Sequence, residues 1–403
     1  MNAFGVGGTI RTTLETAGEL AKRHDVEVVS LVRRRTEPAL PVPAGVRLVA
    51  LSDLREESMA GANRVRRSLA ERPTRLMTRH DFRHPTFNLL SDANLLRYLA
   101  SVRDGVLIGT RPSINVAIAR LAAPSVVRVG QDHMNYASYG DPLRAQIRAV
   151  YPRLDLVTTL TEGDATAYRR ALRDRTRVEC MPNGVPETGG HRAALDAKVV
   201  VAAGRITRQK GFDRLLPAWA SAVREHPDWE LRIWGDGHKK RALRRQIERL
   251  EIGDSAKLMG FTPRLHEEFA SSSLYVMSSR REGFPMVLLE AMAVGLPVVS
   301  FDCPTGPADI IREGVDGHVV PNGDREALAR AMSDLMGDEA KRRSFGAAAL
   351  EGAARYELGA IARRWEDLLA EVAAGKPPGL PTTIVRPALG LLSRKARGLA
   401  RRA

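Results

Sequence analysis

The chain has 403 residues, of which 44% are apolar and 27% charged, and a formal net charge of +15. That length exceeds one ordinary core and fits two domains, and the composition excludes an intrinsically disordered protein. No apolar run reaches the roughly 18–20 residues of a membrane span and no signal-peptide pattern opens the chain, while Cys180 and Cys303 make neither a disulfide framework nor a metal-ligand spacing. A reducing cytoplasm is the expected location. The positive charge suits anionic partners: nucleotide diphosphates, phosphate-rich polymers, an acidic membrane face or nucleic acid. Its arginine-rich, lysine-poor makeup is also what a GC-rich genome produces.

The chain begins almost directly on a Gly-Gly-Thr turn, Gly7 to Thr9, that leads into the helical stretch "TTLETAGELAKRH". Such a turn ordinarily follows a hydrophobic strand. Either the first strand is very short, or the given start lies downstream of the biological one, the second being the favoured expectation. Strand candidates then alternate with helical patterns: "VEVVSLV", "VRLVAL", "GVLIGT", "SVVRVG", "LDLVTTL" and "RVECMP". The turn-rich segment 182–197, "PNGVPETGGHRAALDA", reads as an interdomain linker. A second series follows: "KVVVAAG", "ELRIWGDG", "AKLMG", "LYVMSS", "LPVVSFD" and "GHVVPNG". The pattern predicts an α/β protein of two consecutive, doubly wound halves facing each other across a cleft. Functional residues are then expected just past the carboxyl ends of strands.

The stretch "EGFPMVLLEAMAVGLP" carries the densest signal. Pro285 suits the first position of a helix, Gly295 the residue just past its end, and Pro297 lies beyond. The backbone N–H groups around Gly283, Phe284, Pro285, Met286 and Val287 form an anion site at the positive end of the helix dipole. Glu282 precedes that site. Glu290 lies more than a turn into an otherwise apolar helix and must face the cleft, since an unpartnered buried carboxylate costs several kcal/mol. It can be compensated by the vicinal diol of a ribose or, alternatively, by a nearby arginine. In "AAGRITRQKGFDRLL", Arg205 and Lys210 follow a strand, a spacing that suits a diphosphate and equally an exposed basic loop. The Gly-x4-Gly-Lys-Ser/Thr pattern of a P-loop is absent.

Together these residues resemble the retaining glycosyltransferases of family 4, which have the GT-B fold and use nucleotide-diphosphate sugars. The resemblance covers most of residues 5–372 and is densest from Lys198 to Asp324. It implies GT-B, two facing Rossmann-like domains. Residues 1–185 would form the acceptor-side domain and 186–355 the donor domain. A helix over 356–374 would cross back to the first domain, ahead of a basic tail, 375–403. The Glu-x7-Glu hallmark falls on Glu282 and Glu290, so Glu282 would contact the donor sugar and Glu290 the ribose hydroxyls. Arg205 and Lys210 match the diphosphate-binding pair. "IWGDG" (233–237) and the segment 258–279 also match, with backbone contacts to the base implied around Gly260 and Phe261. Gly7 and Gly8 correspond to the glycine loop that lets backbone approach the donor phosphate. His133, in "VVRVGQDHMNY", stands where such enzymes carry a histidine near the donor sugar, although a lone histidine is more often structural. "FDCPTGPADIIREGVDGHVV" looks like the branch that decorates cell-surface polymers.

The resemblance implies transfer of a hexose, with UDP-sugar the leading donor, to a surface glycan, a teichoic-acid-like polymer or a lipid-linked acceptor. No obvious enzymic nucleophile and no Asp-x-Asp metal motif is present, so metal-independent chemistry with no cofactor beyond the nucleotide-sugar co-substrate is expected. Two alternatives stay open: a GT-B-type nucleotide-sugar epimerase, and a basic nucleic-acid-binding protein, which no recognition motif supports. Nucleic acid is therefore not an expected partner. Residues 55–84 are arginine-rich, in the half where such enzymes receive acceptors. Residues 386–403 hold six cations and no acid, and are expected to lie on an anionic membrane surface, giving a peripheral location, or to form a disordered tail.

Overall fold

The computed structural model describes residues 2–375, and the basic segment 386–403 lies outside the described residues. Each apolar run read as a strand forms one. The first half contains β1 (Val26–Ser30), β2 (Val46–Ala50), β3 (Val106–Gly109), β4 (Val127–Gln131), β5 (Leu156–Thr159) and β6 (Arg177–Cys180). The second contains β7 (Val199–Ala203), β8 (Glu230–Trp234), β9 (Ala256–Gly260), β10 (Leu274–Met277), β11 (Val298–Asp302) and β12 (Gly317–Pro321). These strands pair in parallel throughout.

The second-half sheet has the order β12-β11-β10-β7-β8-β9. The chain enters at β7, builds outward to β9, then crosses to β10 and builds to β12 on the other side. β7 and β10 therefore lie side by side where the winding reverses, the crevice in which open α/β sheets bind ligands. Both strands, "VVVAA" and "LYVM", are buried at every position. A central parallel strand is covered on both faces, which is why these runs are continuously apolar rather than alternating.

The first half divides into a four-stranded sheet, β3-β4-β5-β6, and a separate β1-β2 pair. Among the described residues no strand precedes the first helix, Gly8–Leu20. Ala3 and Phe4 are buried in a turn, and the Ala3 N–H donates to Ser30 Oγ at the end of β1. The very short first strand is thus not formed. The helix Leu358–Ala374 packs onto the first half: Ile361, Trp365 and Leu368 share a core with Val127, Val129, Leu156 and Met181. Arg23 adds an ion pair to Glu366 at 2.8 Å. No helix among the described residues is long and apolar enough to cross a membrane.

Trp365 is 2% exposed, and its ring fills the seam between the returning helix and β4–β5. Trp365→Ala is expected to lower unfolding free energy by about 3–5 kcal/mol, measured by urea denaturation.

Candidate active site

The functional candidates collect at the carboxyl ends of β7 and β10 and against the first half opposite. Lys210 follows β7 and Glu282 follows β10, and they meet across the reversal point with Nζ–Oε1 at 2.7 Å. Ser279 Oγ donates to the same carboxylate oxygen at 2.5 Å. The loop geometry depends on close backbone approach. A Cβ on Gly235, whose φ is +132°, would lie 2.0 Å from the Gly204 carbonyl oxygen. Only glycine lets the β8 loop press so tightly on the loop that carries Arg205 and Lys210. Arg205 itself is exposed, and its side chain has no hydrogen-bond or ion-pair partner among the described residues.

The helix carrying Glu290 spans Met286–Ala293, one residue later than expected. Pro285 is its N-cap, with φ −81° and ψ 79°, and not its first helical residue. This changes the anion cradle. Pro285 has no N–H, and the Met286 N–H is spent on the Phe284 carbonyl at 3.0 Å. Among the described residues the N–H groups of Gly283, Phe284 and Val287 donate to no backbone carbonyl. The Phe284 side chain is buried against the Tyr356 ring. Gly295, at φ +88°, follows the helix as expected.

Glu290 is 1% exposed, and its partner in this structure is an arginine. Arg11 Nη1, from the first helix of the opposite half, lies 2.8 Å from Glu290 Oε1. The same guanidinium donates through Nε to Glu15 Oε1 at 2.8 Å. Burial pushes the Glu290 carboxyl up from the usual carboxylate range, and the Arg11 charge pulls it back. Glu15 is likewise raised by burial and lowered by Arg11. Removing Arg11 would leave the buried Glu290 charge uncompensated, whereas removing Glu290 leaves a guanidinium that is 43% exposed to water. Gly7 and Gly8 open this helix one turn before Arg11, and a Cβ on Gly8 would meet nothing within 4 Å.

His133 lies just past β4 and touches the second half directly. A Cβ on Gly283 would stand 2.5 Å from the His133 carbonyl oxygen. Its Nε2 is enclosed without a hydrogen-bond partner, and burial, with Arg111 adding to it, pushes the imidazole down to about 4. His133 is therefore neutral at pH 7. Two residues on, Asn135 Nδ2 donates to the Glu282 carbonyl at 3.3 Å and its Oδ1 accepts from Thr305 Oγ1 at 2.8 Å. Asp132, before the histidine, is 1% exposed and accepts from Tyr151 (2.9 Å), Tyr168 (2.5 Å) and Asn115 (3.1 Å). Gly260 ends β9 in a positive-φ turn, its carbonyl accepting from Gly235 N–H at 2.6 Å, and the Phe261 ring beside it is 78% exposed.

The structure thus gathers Lys210, Glu282, Gly283 and His133 into one contact network and ties Glu290, on the helix that follows, to Arg11 on the helix opened by Gly7 and Gly8, while Arg205 shares the loop of Lys210. Gly260 and Phe261 stand further along the sheet edge, at β9. Sequence reasoning missed Arg11, Glu15, Asp132 and Asn135. The i,i+4 spacing of Arg11 and Glu15 and the adjacency of Asp132 to His133 were the available signals.

Two parallel-sheet halves meeting at a ligand crevice, with cations and carboxylates at the reversal point, define the GT-B glycosyltransferase architecture. Comparison with known proteins agrees. Residues 189–351 match the model of the group 1 glycosyl transferases. The amylovoran biosynthesis glycosyltransferase AmsD of Erwinia amylovora is 32% identical over 285 residues, covering 68% of this chain and 80% of that protein. An exopolysaccharide phosphotransferase of Streptomyces coelicolor is 37% identical over 388 residues, which is 91% of this chain. The chain spans only 40% of that relative's length. Among solved structures, Anabaena HepE in complex with UDP superposes with a TM-score of 0.70 at 17% identity, covering 91% of this chain and 96% of that one. The chain belongs to the group 1 glycosyltransferases.

Two outcomes follow from this geometry. Gly283→Ala is expected to cost about 1–3 kcal/mol, because neither backbone can yield, whereas Gly253→Ala, with open space around it, leaves the urea midpoint nearly unchanged. Burial pushes the Asp132 carboxyl up to about 7 against the Tyr168 and Tyr151 hydrogen bonds that pull it down. A carboxyl raised on folding stabilises the fold below its unfolded value of about 3.9 and loses that contribution as pH rises through its folded value. Relative to Asp132→Asn, the wild type should therefore lose stability between about pH 4 and pH 7. Equal slopes for the two proteins would show that Asp132 is ionised in the fold.

Proposed function

We propose that this chain is a retaining, family 4 glycosyltransferase that moves a hexose from UDP-sugar to a cell-surface glycan, a polyanionic polymer or a lipid-linked acceptor. The observation that carries the reading is the pairing of Lys210 with Glu282 and of Arg11 with Glu290 around the first turn of one helix, at the reversal point of the sheet. A ligand with a diphosphate between a ribose and a sugar offers an anion to the cations and hydroxyls to the carboxylates. The relatives' names, exopolysaccharide phosphotransferase and amylovoran biosynthesis glycosyltransferase, support a polymer acceptor. The complex of Anabaena HepE with UDP supports a uridine nucleotide. The basic segment at 386–403 would hold the enzyme at an anionic membrane face.

In this reading Glu290 accepts hydrogen bonds from the ribose diol and Glu282 from the sugar. The N–H groups of Gly283, Phe284 and Val287, with Arg205 and Lys210, take up charge as the bond between the anomeric carbon and the diphosphate oxygen breaks. The acceptor oxygen bonds to that carbon on the same face. Its proton passes to the departing phosphate oxygen, so configuration is retained without an enzymic nucleophile. His133, being neutral, serves as a hydrogen-bonding group to the sugar and not as a cation. Gly7 and Gly8 leave room for phosphate, and Gly260 and Phe261 present backbone and an exposed ring to the base.

Glu290→Gln and Arg205→Ala are each expected to reduce turnover of UDP-hexose by about 10²-fold or more, with unchanged circular dichroism. Full activity in either variant overturns the site assignment.

A further inference from the structure

The pairing of Arg11 with Glu290 has a geometry that a simple structural ion pair does not require. Glu290 Oε1 lies 2.8 Å from Arg11 Nη1, yet this buried oxygen accepts no aligned hydrogen bond. The guanidinium is fixed instead through Nε to Glu15 on its own helix, one turn along. Glu290 is thus neutralised by charge at Oε1, which is itself closed off, and a donor arriving in the crevice would meet the other carboxylate oxygen, Oε2. The Arg11 side chain, 43% exposed, lies on the open side of the pair, and the Glu290 side chain, 2% exposed, on the closed side.

We propose that Arg11 is the positioning residue of the donor site, holding the Glu290 carboxylate from the opposite half as an anion whose free oxygen lone pairs meet a ribose diol. This rests on the reading of Glu290 as the ribose-binding carboxylate. Of the cations around Glu290, Arg11 acts on it most strongly. Glu290 is faced by Arg11 and Glu15 from the first helix, by Lys210 from the β7 loop, and by Tyr275 of β10, which also feels Glu282. Lys210 is committed to Glu282 at 2.7 Å. His266, on the neighbouring helix Leu265–Ala270, feels burial first and then the Arg11 charge, both of which lower its imidazole, so it is uncharged at neutral pH. Three carboxylates thus share two cations, and Arg11 spans the two that Lys210 does not hold. Without Arg11, burial favours a proton on Glu290. A protonated carboxyl accepts fewer hydrogen bonds and meets a diol with a donor of its own.

The test is UDP binding by calorimetry from about pH 6 to pH 8.5, each variant expressed as a ratio to wild type so that the titration of UDP itself cancels. Arg11→Ala should bind UDP progressively worse as pH falls, the ratio changing by about tenfold or more over the range. Arg11→Lys should restore a flat ratio. Infrared difference spectra at neutral pH should show a protonated-carboxyl stretch in Arg11→Ala that vanishes in the Arg11→Ala, Glu290→Gln double variant. Arg11→Met, which keeps the aliphatic stem, serves should the alanine variant not fold. A pH-independent ratio without the extra carboxyl band overturns the proposal. So does tighter UDP binding at every pH, which would make Arg11 a competitor for the site. Glu290→Gln binding UDP as wild type does overturns the reading of Glu290 itself, and with it the role given to Arg11, whatever the infrared spectrum shows.

Discussion

A carboxylate set among apolar side chains must be matched by charge from elsewhere, and in this chain the match comes from the other half of the molecule. Glu290 sits in a helix whose neighbours Leu288, Leu289, Ala291 and Met292 are buried, so its own element offers it nothing. Arg11 supplies the charge across the cleft. The relative placement of the two halves is thereby tied in part to this electrostatic requirement. The rest of the site follows the same logic: Lys210 against Glu282 at the reversal of the sheet, and the Asn135 amide between the Glu282 carbonyl and Thr305.

The fold was largely legible because parallel strands covered on both faces must be continuously apolar. "VVVAA" and "LYVM" could be read as central strands on that ground alone. The spacing of Glu282 and Glu290 about a helix start was equally visible, since cap residues and dipole act locally. The first half was less so. A Gly-Gly-Thr turn implied a strand before it, and the described residues instead bury Ala3 and Phe4 in a turn. Pro285 fits the first helical position by propensity, yet the tight Met286-to-Phe284 hydrogen bond moves the helix start by one residue and withdraws one N–H from the crevice.

What the sequence could not reveal was pairing at long range. Nothing in the helix around Arg11 says which of its neighbours it will face, and its i,i+4 glutamate reads as an ordinary surface pair. Only the tertiary structure turns that pair into a three-membered system with Glu290. Asp132 was similarly hidden. Its hydroxyl and amide partners come from Tyr151, Tyr168 and Asn115, which lie on separate elements and converge only when β4 is flanked by its helices.

The contact of Gly283 with the His133 carbonyl bears on how such enzymes can be recombined. Because backbone meets backbone there, and because residues 11 and 290 and residues 135 and 305 are matched across the same seam, the two halves are not interchangeable modules. A chimera joined within the 182–197 linker pairs a first-half loop with a stranger's helix and also exchanges the returning helix Leu358–Ala374 that completes the first half's core. The loop after β4, the first helix, the 282–305 segment and the returning helix therefore have to travel as one block.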